Sequence, residues 1–138
     1  MIATDRTFSS LTVGETCVRE HHIDQQLVDS FVALSGDENP LHTDKEYAAT
    51  TIFKNRIVHG MLLATFVSEL IGMHIPGKRC LLVKEVLEFK LPVYIEDTIS
   101  VEGTVASKSD ATKILQIDIA IKRNKEVVAG GVVHVKVI

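Results

Sequence analysis

The stretch from Ile57 to Ile75 constrains the fold more than any other part of the chain. Its apolar residues, Ile57, Val58, Met61, Leu62, Leu63, Phe66, Val67, Leu70 and Ile71, fall on nearly every side of a helix instead of along one stripe. A helix that is apolar all round must be covered on most sides, by lipid or by its own chain. Lipid is disfavoured, because His59, Gly60, Ser68, Glu69, Gly72 and His74 interrupt the run. One acidic residue at mid-bilayer depth costs roughly 2.5–3.5 kcal/mol. The spacing therefore predicts a buried core helix over about Ile57 to His74, ended by Pro76-Gly77.

The covering comes next in the sequence. Cys80 to Leu91 mixes Leu82, Val86 and Phe89 with charges. Asp97 to Ser107 alternates Ile99, Val101, Gly103 and Val105 against polar residues, and Thr112 to Lys122 and Glu126 to Ile138 are rich in Ile and Val. Turn signals at Pro92 to Asp97, Ser107 to Ala111 and Arg123-Asn124-Lys125 separate strands of about ten residues. The charged residues of Lys84 to Lys90 and Asp97 to Lys108 are expected on the solvent face. Gly130-Gly131 inside the last strand points to a bulge or a close backbone approach.

Upstream, Thr12 to His22 reads as an irregular first strand. Asp24 then caps a helix carrying Leu27, Val28, Phe31, Val32 and Leu34, which Gly36 closes. Asp44 is placed to cap a short helix through Ala48. With no repeat or linker, residues 1–138 read as one α+β domain, a long central helix wrapped by an antiparallel sheet. The sheet has an open edge, and pairing with a second copy is the usual remedy, so a homodimer is expected.

The formal net charge is −3 with lysines and arginines scattered, which argues against a nucleic-acid or anionic-membrane partner. Met1 to Arg6 lacks an apolar signal core, so a cytoplasmic protein is expected. Cys17 and Cys80 have no metal-like spacing; free thiols in a reducing compartment are favoured over a disulfide.

The chemistry concentrates between Ser35 and Met61. Asp37 and His42 put a carboxylate and an imidazole five residues apart in a loop whose path Asn39-Pro40 restricts. Gly60 lies in the first turn of the core helix, where backbone N–H groups have no internal partner and the helix dipole is positive. A titrating loop beside such donors suits reactions at a carbonyl. Taken singly, Asp37 is more often a loop-former and His42 a capping residue; the joint pattern favours catalysis. His21, His22, His74 and His134 show no ligand spacing and are expected to be solvated or core histidines.

Ser35-Gly36-Asp37-Glu38-Asn39-Pro40-Leu41-His42-Thr43-Asp44 and Arg56-Ile57-Val58-His59-Gly60-Met61, with Phe89-Lys90-Leu91-Pro92-Val93, resemble the MaoC-like (R)-specific enoyl-thioester hydratases. The resemblance implies a hot-dog fold, a dimer, and no metal or redox cofactor. It implies reversible hydration of a trans-2-enoyl thioester, carried on coenzyme A or acyl-carrier protein, to a (3R)-3-hydroxyacyl thioester. Carried over by position, Asp37 and His42 activate one water, the Gly60 N–H binds the thioester carbonyl, and Ser68 lies near the acyl pocket. Asn39 and His59 are counted with the substrate-binding residues, His59 by orienting the helix start through a hydrogen bond. Ser68 lacks the elbow and base of a nucleophile. The competing readings are a hot-dog acyl-thioester hydrolase and a non-catalytic acyl-thioester binding module.

Overall fold

The computed structural model describes all residues, Met1 to Ile138. Strand β1 (Thr16–His22) leads into helix α1 (Gln25–Ser35), two short helices α2 (Pro40–Thr43) and α3 (Lys45–Thr50), and the core helix α4 (Gly60–Glu69). Strands β2 (Cys80–Phe89), β3 (Thr98–Ser109), β4 (Ile114–Arg123) and β5 (Glu126–Val137) follow. All pairings are antiparallel, in the order β1-β3-β4-β5-β2. The chain thus lays β2 and β1 at opposite edges of one five-stranded sheet wrapped around α4.

Alternation places one side of the sheet on the helix. Val101, Val105, Leu115, Ile117, Ile121, Val133 and Val135 face it with no solvent exposure, and Val67 and Leu70 of the helical segment are equally inaccessible. Fully burying each such side chain contributes about 1.5–3 kcal/mol, which is what fixes α4 in its groove. On the opposite side Lys122 and Glu102 pair at 2.9 Å across β4 and β3, as expected of a solvent face. Glu85 departs from that expectation. One of its carboxylate oxygens is buried without a partner, and burial pushes its pKa up.

Three boundaries differ from the expectations set by spacing. The core helix starts at Gly60 instead of Ile57, because Ile57 bridges Tyr94 and the Val58 N–H donates to the Val93 carbonyl at 2.7 Å. Both residues are therefore held extended by a distant segment. The helix's last part, Leu70–His74, widens into a π turn. The first strand begins at Thr16, since Gly14 (φ 89°) turns the chain just before it. At Gly131 the expectation of a close approach holds: any Cβ there would collide with the Val86 carbonyl of the neighbouring strand.

Candidate active site

Helix α1 is capped at both ends as its sequence predicts. The Asp24 carboxylate accepts from the Leu27 N–H at 2.8 Å, and Gly36 closes the helix in the left-handed region at φ 72°. The chain then enters a loop whose side chains satisfy its own backbone. The Asp37 N–H donates to Ser35 Oγ (3.1 Å), the Asn39 N–H to Asp37 Oδ1 (3.1 Å), and the Leu41 N–H to Asn39 Oδ1 (2.9 Å). Asn39 is thereby the N-cap of α2, with Pro40 at its first position, where a missing N–H costs nothing. Asn39 acts here as a shaper of the turn that presents Asp37 and His42.

His42 leaves α2 pointing at the chain that precedes α4. Its Nδ1 lies 2.7 Å from the Ile57 carbonyl. A carbonyl only accepts, so Nδ1 carries the hydrogen and Nε2 offers its lone pair to a ligand. His59 is 2% exposed and its ring stacks on His42 with centroids 3.8 Å apart. Its Nε2 donates to the Asp37 carbonyl at 3.0 Å and lies 3.9 Å from the Asp37 carboxylate. His59 makes no side-chain cap to its own helix. Its hydrogen bond ties the Asp37 loop to the head of α4.

Each of Asp37, His42 and His59 has a ligating atom within 4.8 Å of the others'. That spacing suits one small guest, a water or a cation. One nitrogen of each ring is already committed to a main-chain carbonyl, which leaves the free His42 nitrogen, the half-exposed Asp37 carboxylate and the buried, unpartnered His59 Nδ1.

His42 and Gly60 line the same cavity of about 270 Å³, with Phe53, Ile57, Val58, Leu63 and the Phe89–Val93 segment forming the rest of its wall. Asp37 stands outside that lining. The Gly60 N–H, first of α4, finds no acceptor in the chain. The Phe89 ring sits over Gly60 so closely that a Cβ there would lie 3.3 Å from three ring carbons. An amide donor with no partner, at the positive end of a helix and inside an apolar cleft, suits a carbonyl oxygen that gains charge.

Ser68 is not brought to this group. It lies on the exposed stripe of α4 with Met61 and Thr65, two helical turns beyond Gly60, and does not line the cavity with His42 and Gly60. Arg123 is a contributor that its sequence context marks only as a turn residue. Its Nη1 donates to the Pro92 carbonyl and to Asp97 Oδ2, both at 2.9 Å, and the latter carboxylate oxygen also accepts from the Tyr94 N–H. Arg123 therefore holds the Pro92–Val93 wall in place. No sequence signal marks it, since the partner is a main-chain carbonyl on another turn.

The family described as MaoC-like domain matches residues 9–127. An (R)-specific enoyl-CoA hydratase of Aeromonas caviae is 44% identical over 98 residues, which cover 71% of this chain and 73% of the relative. A 3-hydroxybutyryl-CoA dehydratase of Methylorubrum extorquens is 32% identical over 94% of this chain and 83% of its own length. Among solved structures, the (R)-hydratase from A. caviae involved in PHA biosynthesis superposes with a TM-score of 0.90 at 37% identity, covering 94% of this chain and 98% of that one.

Proposed function

The chain belongs to the MaoC-like domain family, and from that premise we propose that it is an (R)-specific enoyl-CoA hydratase adding water reversibly across a trans-2-enoyl thioester. What supports the reading is the position of His42, which is grouped with the Asp37 carboxylate on one side and lines a cavity with the unpartnered Gly60 N–H at the head of α4 on the other. One water held between Asp37 and His42 adds its oxygen to C3, and a proton reaches C2 from the same side. The thioester oxygen becomes enolate-like in between. A fixed N–H donor binds that oxygen more strongly in the transition state than in the ground state. Losing such a donor typically costs about 3–4 kcal/mol. His59 and Asn39 hold the two chemical groups in position, and Ser68 is proposed to meet the acyl chain where a second copy of the chain closes the exposed face of α4.

That second copy belongs to the proposal. Edge strand β2 leaves Leu81, Leu82, Val83, Val86 and Phe89 about half exposed, and Met61 on α4 is 64% exposed beside them. An unpaired apolar edge is a template for another strand. We read residues 1–138 as one hot-dog domain that pairs through β2 into a homodimer; sedimentation at micromolar concentration should return twice the chain mass, and a monomer would overturn it. Cys17 and Cys80 are free thiols, which fits work in the reducing cytoplasm. No helix is long and apolar enough to cross a membrane.

One assay tests the reaction. With crotonyl-CoA, loss of the conjugated-enoyl absorbance without release of free thiol is the expected result. Thiol release identifies an acyl-thioester hydrolase instead, and no change in either signal points to a binding module or to a different acyl substrate.

A further inference from the structure

The largest cavity in the molecule, about 570 Å³, is not the one that holds His42 and Gly60. It is walled by Gln25, Lys45, Ala49, the run Lys54-Asn55-Arg56 and the turn Tyr94-Ile95-Glu96. Three cationic side chains from two elements meet there in a chain whose formal net charge is −3. Neither Lys45 nor Lys54 has a carboxylate within salt-bridge distance. The one acid in the wall, Glu96, is held 3.0 Å from His22 Nε2. Arg56 is steadied by Gln25 Oε1 at 2.5 Å, which leaves its other guanidinium N–H groups for a guest. Lys54 is fixed at φ 63°, so its side chain leaves the backbone from a defined and unusual position.

The two cavities are neighbours along the chain at three points. Phe53 lines the first and Lys54 the second; Ile57 the first and Arg56 the second; Val93 the first and Tyr94 the second. Consecutive Cα atoms are about 3.8 Å apart, and the Ile57–Tyr94 bridge forms the divide between the cavities. A substrate whose thioester lies at Gly60 and whose carrier leaves over that divide arrives among Lys45, Lys54 and Arg56. A polyanionic end is what unpaired ammonium groups and a planar guanidinium bind best. We propose that this cavity is the seat of the phosphates of the coenzyme A carrier, with Lys45 and Lys54 as their ammonium partners and Arg56 as the fork between them. The proposal rests on the hydratase reading for its substrate, but its test does not depend on turnover alone.

The experiment compares crotonyl-CoA with crotonyl-pantetheine, which presents the same thioester without the nucleotide phosphates, in the wild type and in the double variant Lys45→Gln/Lys54→Gly. Glycine at position 54 removes the ammonium while accepting the positive φ. Two charge-assisted contacts to phosphate are lost, so the variant should raise KM for crotonyl-CoA at least tenfold and leave KM for the pantetheine ester where it was. The salt dependence of KM for crotonyl-CoA should flatten with it. Equal losses on both esters, or no loss on either, would overturn the assignment while leaving hydration intact. If the wild type hydrated neither ester, the functional reading would fall on its own. Calorimetry with adenosine 3′,5′-bisphosphate would then decide the cavity: binding that the double variant abolishes supports a phosphate seat, and no binding to the wild type ends it.

Discussion

The sheet and the segment from Ser35 to Ile57 solve opposite problems. In the middle of the sheet, Val101, Leu115, Ile117, Ile121, Val133 and Val135 are wholly buried, and their side chains interact through packing alone. In the segment, residues 35–40 are exposed, and their order comes from short side-chain bonds to the local backbone at Ser35, Asp37 and Asn39. The fold keeps its stability where no titrating group is needed. It keeps its chemistry where a polar group can stay wet and still be held. The two regions meet at His59, which is buried like the sheet residues yet bonded to the Asp37 carbonyl and stacked on His42.

Substitutions should separate the two regions, beginning with the largest effects. Asp37→Asn and His42→Ala are each expected to lower kcat for crotonyl-CoA by about 10²–10⁴-fold, the usual range for a general acid–base group. Their thermal midpoints should stay near that of the wild type. Near-normal turnover in either purified variant would remove that residue from the mechanism. Ile117→Ala should do the reverse. Deleting a fully buried isoleucine costs about 2–5 kcal/mol, read as a lower urea midpoint, while kcat of the folded fraction persists. A matching loss of kcat in that fraction would mean that the division is false.

His59→Phe is the substitution that should cross the divide. Stripping the hydrogen bond from the Asp37 carbonyl costs about 1 kcal/mol, and the same change frees the loop that carries the proposed catalytic carboxylate. We expect both the midpoint and kcat to fall together. A fall in only one would assign His59 to that region alone.

The smallest effect concerns pH. His21 stacks on Phe66, ring centroids 4.1 Å apart, and faces Glu69 (3.4 Å), with Arg19 and His74 close by. Burial pushes its imidazole below the ordinary 6.5, against the pull of Glu69. The unfolded chain therefore takes up this proton first as pH falls. The contribution of His21 to stability is present above about pH 6.5 and is lost as the pH drops through the lowered value. His21→Leu should flatten the decline in midpoint between neutral and mildly acidic pH, and an unchanged profile would show that the other three groups compensate.

Much of this architecture is legible in the amino-acid order alone. The all-round apolar pattern of α4 and the alternation of β3 to β5 are local properties, and the wrapped helix follows from them. The five-residue spacing of Asp37 and His42 likewise survives folding, because Asn39 and Pro40 set that path with neighbouring residues. What stays hidden is what distant main chain decides. The helix start moves to Gly60 because Val93 and Tyr94 hold Ile57 and Val58 extended. The acceptor that sets the His42 tautomer is the Ile57 carbonyl, and a carbonyl has no residue signature. Glu85 reads as one more solvent-face charge because alternation does not reveal which side of an edge strand a helix will cover.

Phe89 stands in two places at once, half exposed on the open edge of the sheet and pressed over Gly60. In the proposed dimer, the roof of the reaction site is thus also part of the seam between copies. Dilution past the point of dissociation would free the ring from its neighbours, so output per molecule should depend on how crowded the enzyme is with its own kind.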